Sequence, residues 1–317
     1  MKSKNILIVG GAGYIGGYMV DLLKYKNYSI TVFDNLVYEN QYLKNVNFIY
    51  GDIRDTNFLK NIAKNFDTVI WLAALVGDGA CAVDVELTTE INYSCFRRFI
   101  EVYTGKIIFT STCSVYGLND NLIDETAKPN PLSVYAETKL LAENYLIDNH
   151  DDYLIFRLGT LYGVSDQFSR VRLDLVLNVL SQKAACGEKL SVFGGEQWRP
   201  LLHVKDVTHA TLFAIENNTK GLYNLSSKNY TIKQLAEEIK NIVPQTEISY
   251  SDMKFEDLRN YKVKNDKLIS TGYNQFIDIQ EGIKEIVDIF KQKRVFNPKD
   301  PLFSNVAFLE KNIKHRL

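Results

Sequence analysis

The sequence predicts an α/β fold: a doubly wound parallel sheet followed by a smaller C-terminal lobe. Three observations carry this. A short, wholly apolar run at residues 6–9 leads into clustered glycines, apolar runs alternate regularly with helical segments over the first half, and the rhythm changes beyond about residue 165. Parallel strands covered on both faces read as continuous apolar runs, and strand–helix alternation marks the crossovers that join them.

Taken in order, Ile6-Leu7-Ile8-Val9 is the first strand, and after the glycines an amphipathic helix occupies about 13–26. Strands are expected at 29–33, 46–50, 68–72 and 106–109, separated by helices that include 57–65 and 85–103. Pro129 and Pro131 punctuate the chain before a helix over 133–149, for which Ser133 is a suitable N-cap. A strand at 153–158 follows. The second half reads as a helix at 173–185, strands at 190–193 and 221–225, and a helix at 232–243.

Bulk properties exclude several classes of function. The 317 residues suit one large domain or two lobes, and 46% apolar with 24% charged residues is ordinary for a globular protein. A formal net charge of −1 gives no electrostatic reason to expect nucleic acid or an anionic membrane as partner. Cys81, Cys95, Cys113 and Cys186 match no zinc or CxxC spacing and read as reduced thiols of a cytoplasmic protein. The four histidines are scattered, so no metal is expected. The apolar run after Lys4 is too short for a signal peptide, and no stretch approaches the roughly 18 apolar residues of a membrane span.

The turn "VGGAGYIGG" places Gly10, Gly11, Gly13 and Gly16, with Tyr14 and Ile15 among them, between a strand and a helix. In that setting glycines allow a sharp turn and close approach of a pyrophosphate, whose charge then sits at a helix N-terminus. Asp34 closes the second strand, where a carboxylate accepts the hydroxyls of an adenosine ribose. Asn35-Leu36-Val37 supplies no arginine for a 2′-phosphate, so NAD is expected rather than NADP. Asp52 and Ile53, after the third strand, are placed to flank adenine.

Two further stretches carry chemistry. "YAETK" sets Tyr135 and Lys139 at i and i+4, on one helical face. An ammonium beside a phenol, together with a cationic nicotinamide, favours the phenolate, which can take a proton from a sugar hydroxyl. "FTSTCSVYG" gathers Thr110, Ser111, Thr112, Cys113 and Ser114 where the fifth strand leaves the core.

This order of motifs resembles the extended short-chain dehydrogenase/reductase family, specifically its nucleotide-sugar epimerases and dehydratases, over roughly residues 4–290. Lesser marks are Leu72-Ala73-Ala74, Asn92, Val115-Tyr116-Gly117, "RLGTLYG" from Arg157, "RPLLHVKDV" from Arg199, "YNLSS" from Tyr223 and "EDLRNYKVKNDKL" from Glu256. The resemblance implies a Rossmann domain over 1–165, its sheet completed by segments around 195–230. It further implies a nucleotide-sugar lobe over 166–292 and a tail at 293–317. It places Thr112 beside Tyr135, Thr110 and Ser111 against the nicotinamide, and Leu72, Ala73, Ala74, Asn92 and Leu158 along the cofactor. Substrate contacts are expected from Val76, Thr112, Cys113, Ser114, Thr160, Arg172, Asp174, Leu175, Val192 and Phe193. Arg199 and Arg259 are expected on the diphosphate. The helices near 85 and 133 resemble those that pair into a four-helix homodimer interface.

Departures from the family pattern refine the expected reaction. Dehydratases of this family place two acids just after the catalytic Thr; here Cys113 and Ser114 stand there, and neither readily replaces a carboxylic acid. Oxidation at C4 of a nucleotide-linked sugar remains, as 4-dehydrogenase or 4-epimerase, with 4-keto-sugar reduction or a non-catalytic NAD-binding scaffold as alternatives. Trp71 stands where His is usual and Thr160 where Asn is usual. "RVRLDLVLN" (residues 170–178), "AALVG" and the Arg-Asn-Tyr after Leu258 resemble bacterial GDP-heptose 4-dehydrogenases of capsule biosynthesis. In the tail, Phe303, Val306, Phe308 and Leu309 are expected to pack on the chain's own surface or on another subunit, unless the tail frays.

Overall fold

The computed structural model describes residues 4–251 and 260–316. In chain order the first half runs β1 (Asn5–Val9), α1 (Gly16–Tyr25), β2 (Ser29–Asp34), β3 (Asn47–Tyr50), α2 (Thr56–Ala63), β4 (Thr68–Trp71), α3 (Asp78–Ala82), α4 (Val85–Thr89), α5 (Cys95–Ile100), β5 (Lys106–Thr112), β6 (Leu118–Ile123), α6 (Val134–Asn149) and β7 (Tyr153–Leu158). The second half adds β8 (Thr160–Tyr162), α7 (Val176–Ala185), β9 (Leu190–Phe193), β10 (Trp198–His203), α8 (Val204–Glu216), β11 (Gly221–Leu225), β12 (Lys228–Thr231), α9 (Ile232–Ile242), β13 (Ile248–Ser251), β14 (Asn260–Val263), α10 (Asp266–Ile269), α11 (Ile279–Lys291) and α12 (Asn305–Arg316).

Seven strands make one parallel sheet in the order β11-β7-β5-β4-β1-β2-β3, with helices on both faces: a doubly wound Rossmann fold. The apolar runs are continuous because each strand faces two cores. Leu7, Val9, Val69, Trp71, Ile107 and Phe109 point into the layer with α5 and α6. Ile6, Ile8, Ile70 and Ile108 point into the layer with α1 and α8. Strand order reverses where β1 lies between β2 and β4, and the crevice beyond the carboxyl ends of β1 and β4 is where such sheets bind ligands. A third core, holding Leu177, Leu190, Leu201, Leu235 and Ile283, builds the C-terminal lobe.

Several expectations are corrected. β5 does not end at Phe109: Thr110, Ser111 and Thr112 pair in register with Phe156, Arg157 and Leu158 of β7, so the hydroxyls belong to the strand. The helix expected over 85–103 is interrupted by a π-turn at Glu90–Ser94. α7 starts at Val176, not 173, because Leu175 is extended and Asp174 is engaged with Arg172. Of the segments around 195–230, β11 joins the main sheet, whereas β10 pairs with β8 and β12 in a separate three-stranded sheet. Ser133 caps α6 as expected, its hydroxyl accepting from the Ala136 N–H.

The tail does not fray. Phe308 and Leu309 are buried in the α5–α6 core layer, Leu302 and Val306 pack against it, and the Phe308 ring lies 5.0 Å from that of Tyr38. Among the described residues, no helix is long and apolar enough to cross a membrane, and no three His, Cys, Asp or Glu side chains gather as a metal site.

Candidate active site

The glycine turn connects β1 to α1 beneath the sheet crevice. Gly10 has φ +82°, and a Cβ there would meet the Ala73 backbone N at 2.5 Å, so the fold itself demands glycine. A Cβ on Gly16 would lie 2.2 Å from the Gly11 carbonyl oxygen, which explains that glycine too. Gly13 differs. A Cβ there would meet only the Gly10 carbonyl oxygen, at 3.4 Å, and Gly13 borders the cleft. Its glycine is therefore unexplained by the chain and fits a pyrophosphate lying against the backbone. Ile15 supplies no side-chain cap to α1; the Gly17 N–H donates to the Gly13 carbonyl at 3.2 Å and the Tyr18 N–H to the Ser165 hydroxyl at 3.0 Å.

The cleft continues over Tyr14, Ile15, Asp34, Asn35, Asp52, Ile53, Leu72, Ala73, Ala74 and Val76. Asp34 accepts from the Ala12 N–H (3.0 Å) and the Leu36 N–H (2.7 Å), and Leu36 takes a positive φ of 56° to present its N–H. Burial pushes the Asp34 carboxyl up, opposed by those N–H donors. Each carboxylate oxygen keeps a further lone pair, and ribose hydroxyls are the donors that would complete it. Asp52 is held by Arg54 and accepts from the Asn35 amide at 3.2 Å.

A second cavity, of about 510 Å³, opens between the sheet and the C-terminal lobe. It is contiguous with the cleft, since Ile15, Leu72, Ala74, Val76 and Arg172 border both. Thr112, Tyr135 and Lys139 line this larger cavity together. Tyr135 is hydrogen-bonded to Thr112, whose Oγ1 also accepts from the Ser114 N–H at 3.1 Å. Lys139 Nζ lies 4.1 Å from the centroid of the Phe109 ring. Burial pushes the Tyr135 phenol up, and it pulls Lys139 down to about 7 against the opposing pull of Glu143. Burial thus favours the neutral phenol and brings the Lys139 ammonium into the neutral pH range, so a cation bound beside them favours the phenolate.

The sequence profile of the NAD dependent epimerase/dehydratase family matches residues 6–226. The chain belongs to that family. NAD is its cofactor, and the cleft beside the glycine turn fits it. The chain is 29% identical over 309 residues to a putative UDP-glucose 4-epimerase of Methanocaldococcus jannaschii, covering 90% of this chain and 98% of that one. It is 27% identical over 325 residues to the dTDP-D-glucose 4,6-dehydratase of Homo sapiens, covering 92% and 91%. The structure superposes with a TM-score of 0.80 on the UDP-N-acetylglucosamine 4-epimerase of Methanobrevibacter ruminantium, at 26% identity over 92% of this chain and all of that one.

Within this member of the epimerase/dehydratase family, most of the residues singled out in the sequence border one of the two cavities. Ser114, Leu158, Thr160, Asp174, Leu175, Val192, Phe193 and Arg199 border the larger one. Thr110 and Ser111 border it too, but their hydroxyls are engaged inward, with the Trp71 carbonyl (3.3 Å) and the Glu143 carboxylate. Three residues lie elsewhere. Gly16 borders neither cavity and is required by its approach to the Gly11 backbone. Cys113 is fully buried in an apolar cluster, its thiol donating to the Arg157 carbonyl at 3.2 Å, because the 3₁₀ turn after Thr112 swings it behind the strand. Asn92 sits behind the cleft wall, where its amide pins the Leu75 backbone in both directions (2.8 and 2.9 Å) and so shapes the loop that borders the cofactor. Arg259 lies outside the described residues. Trp71 turns into the core against Phe96 and Phe99.

Asp78 and Asn305 line the larger cavity and escaped sequence reasoning, and Val306, expected only to pack, lines it too. Asp78 accepts from the Ser133 hydroxyl at 2.7 Å and its charge acts on Tyr135. Nothing in its local pattern distinguishes it from a helix-starting acid.

Replacing Asp34 by Ala is expected to weaken NAD binding by about tenfold or more, the scale of losing a charge-assisted hydrogen bond. Titration calorimetry measures it, with the melting transition as a check on folding. Unchanged affinity would remove Asp34 from the ribose.

Proposed function

We propose that the protein oxidises C4 of a nucleotide-activated sugar, as a 4-dehydrogenase or a 4-epimerase, in the making of surface polysaccharide. The observation that carries this reading is the Thr112–Tyr135–Lys139 group lining the cavity contiguous with the cofactor cleft, with Cys113 withdrawn from it. Thr112 would hold the sugar oxygen, Tyr135 would take its proton, and Lys139 would support the phenolate. When bound, NAD supplies the hydride acceptor and a positive ring near the phenol. Elimination of water across C5 and C6 would need an acid and a base after Thr112; burial raises the Cys113 thiol far above its ordinary range, and Ser114 is a hydroxyl.

On the substrate side, buried Arg199 supports recognition of a diphosphate, since a guanidinium bonds phosphate bidentately. Arg172 faces the same cavity but its fork is already paired with Asp174 at 2.6 and 3.0 Å. Val192 and Phe193 supply apolar contact for a base. The likeness of residues 170–178 to GDP-heptose 4-dehydrogenases favours a GDP-sugar. Exposed Val85, Leu141 and Ile147 on α4 and α6 favour a homodimer through those helices, which sedimentation of a Leu141→Glu variant would test.

The deciding experiment incubates the protein with NAD and each of GDP-, UDP-, dTDP- and CDP-sugars, following NADH absorbance, C4 configuration by NMR and product mass. A 4-keto sugar with NADH, or the C4 epimer without net NADH, is expected. A product lighter than its substrate by one water would refute C4 oxidation without dehydration.

A further inference from the structure

The tail beyond α11 is the one prominent sequence feature that the site chemistry leaves unused. It ends up at the junction of the two cavities. Asn305, only 2% exposed, borders both the cofactor cleft and the larger cavity, and Val306 borders the latter.

Asn305 ties three separate parts of the chain together. Its side-chain amide donates to the Val76 carbonyl at 2.8 Å, on the loop that follows β4. Its amide oxygen accepts from the Arg170 guanidinium at 2.5 Å, and its backbone N–H donates to Asp174 at 2.8 Å. Around it, Arg170 also donates to the Leu302 carbonyl at 2.7 Å, and the Leu173 N–H donates to the Phe303 carbonyl at 2.9 Å. The Arg170 guanidinium lies 4.3 Å from the centroid of the Tyr38 ring, and the Phe308 ring lies 5.0 Å from that of the same tyrosine. Tyr38, Val76 and Arg170 all border the cofactor cleft. The tail therefore bridges the Rossmann sheet's loops to the substrate lobe, directly where a dinucleotide would have to leave.

We propose that residues 300–309 form a strap that holds the dinucleotide in its cleft, with Asn305 as its positioning residue. Apolar burial of Phe308 and Leu309 anchors the strap, and the Asn305 hydrogen bonds close it over the cavity junction. A buried, hydrogen-bonded amide is costly to open, since each bond broken without solvent compensation leaves an orphaned polar group. The strap thus slows exchange of the cofactor relative to exchange of a sugar entering from the lobe side. Such retention suits an enzyme that returns its hydride within one binding event. The inference rests on the NAD site and not on which sugar carbon reacts.

The test needs no nucleotide sugar. Protein loaded with NADH is mixed with excess NAD, and loss of the bound NADH fluorescence gives the release rate for the full chain, for Asn305→Ala and for a chain ending at residue 299. Both variants are expected to release NADH about tenfold faster or more, the scale of losing one or two buried hydrogen bonds. The truncation removes Phe308 and Leu309 from the core, whereas Asn305→Ala leaves both in place and so decides the matter. A folded Asn305→Ala protein that releases NADH at the full-chain rate overturns the proposal. Because only cofactor release is read, that outcome leaves C4 oxidation standing, and failure of C4 oxidation leaves this result intact.

Discussion

Tyr135→Phe is expected to lower turnover by about 10² to 10⁴ while NAD affinity stays within a few-fold, because it deletes the proton acceptor and keeps the ring. The structure makes this substitution clean. The Tyr135 hydroxyl bonds to Thr112, and after its loss Thr112 Oγ1 still accepts from the Ser114 N–H, so no buried oxygen is orphaned. The ring keeps its packing in the layer formed by Phe109, Ala142 and Cys81. Steady-state turnover on the true nucleotide sugar, with NAD binding by calorimetry, separates chemistry from binding. Near-normal turnover in a folded Tyr135→Phe protein would take Tyr135 out of the acid–base role, whatever the substrate.

Removing the Glu143 carboxylate is expected to be among the most damaging single changes to stability. Glu143 is completely buried and holds Arg157 at 2.7 Å, with a further contact to the Ser111 hydroxyl. Arg157 in turn donates to the Tyr116 hydroxyl at 3.0 Å, and Tyr116 donates to Asn224 at 2.7 Å. One charge pair thereby ties α6, β5, β7 and β11 together under the proposed catalytic residues. Glu143→Ala leaves the guanidinium buried without its partner, which costs about 3–5 kcal/mol, whereas the double change Glu143→Leu with Arg157→Met removes both charges and should recover much of that loss. Urea denaturation of the two variants checks it. A loss below about 1 kcal/mol for Glu143→Ala would mean that water or another group compensates the arginine.

Lys139 stands one helical turn from Glu143, and that carboxylate is the main influence keeping the buried amine charged. The structural pair and Lys139 are thus coupled. Pairing with Arg157 explains why a glutamate is tolerated at a wholly buried position of α6, on a face that also buries Thr138 and Lys139.

The sequence alone determined the sheet and the main chemical groups, because those depend on local rules. Continuous apolar runs covered on both sides became β1, β4, β5 and β7; the glycine turn sat between strand and helix; and Tyr135 and Lys139 shared a face through simple helical spacing. Ser133 as a cap followed from hydrogen bonding within one turn.

What tertiary structure decided depends on contacts between residues far apart in the chain. Whether Thr110 to Thr112 lie in β5 was set by register with β7, which no local pattern reveals. Cys113 and Ser114 are adjacent, yet one turn of 3₁₀ helix sends the thiol into an apolar cluster and leaves the hydroxyl at the cavity. Asn92 reads as a cofactor ligand by motif, but its amide is used to hold the loop that the cofactor would touch. Asn305 was invisible as a site residue because its three partners, Val76, Arg170 and Asp174, lie more than a hundred positions away. Local propensity and periodicity are properties of a few neighbouring residues. Side-chain placement at a cavity is a property of packing, and it is settled only when distant segments compete for the same buried hydrogen bonds.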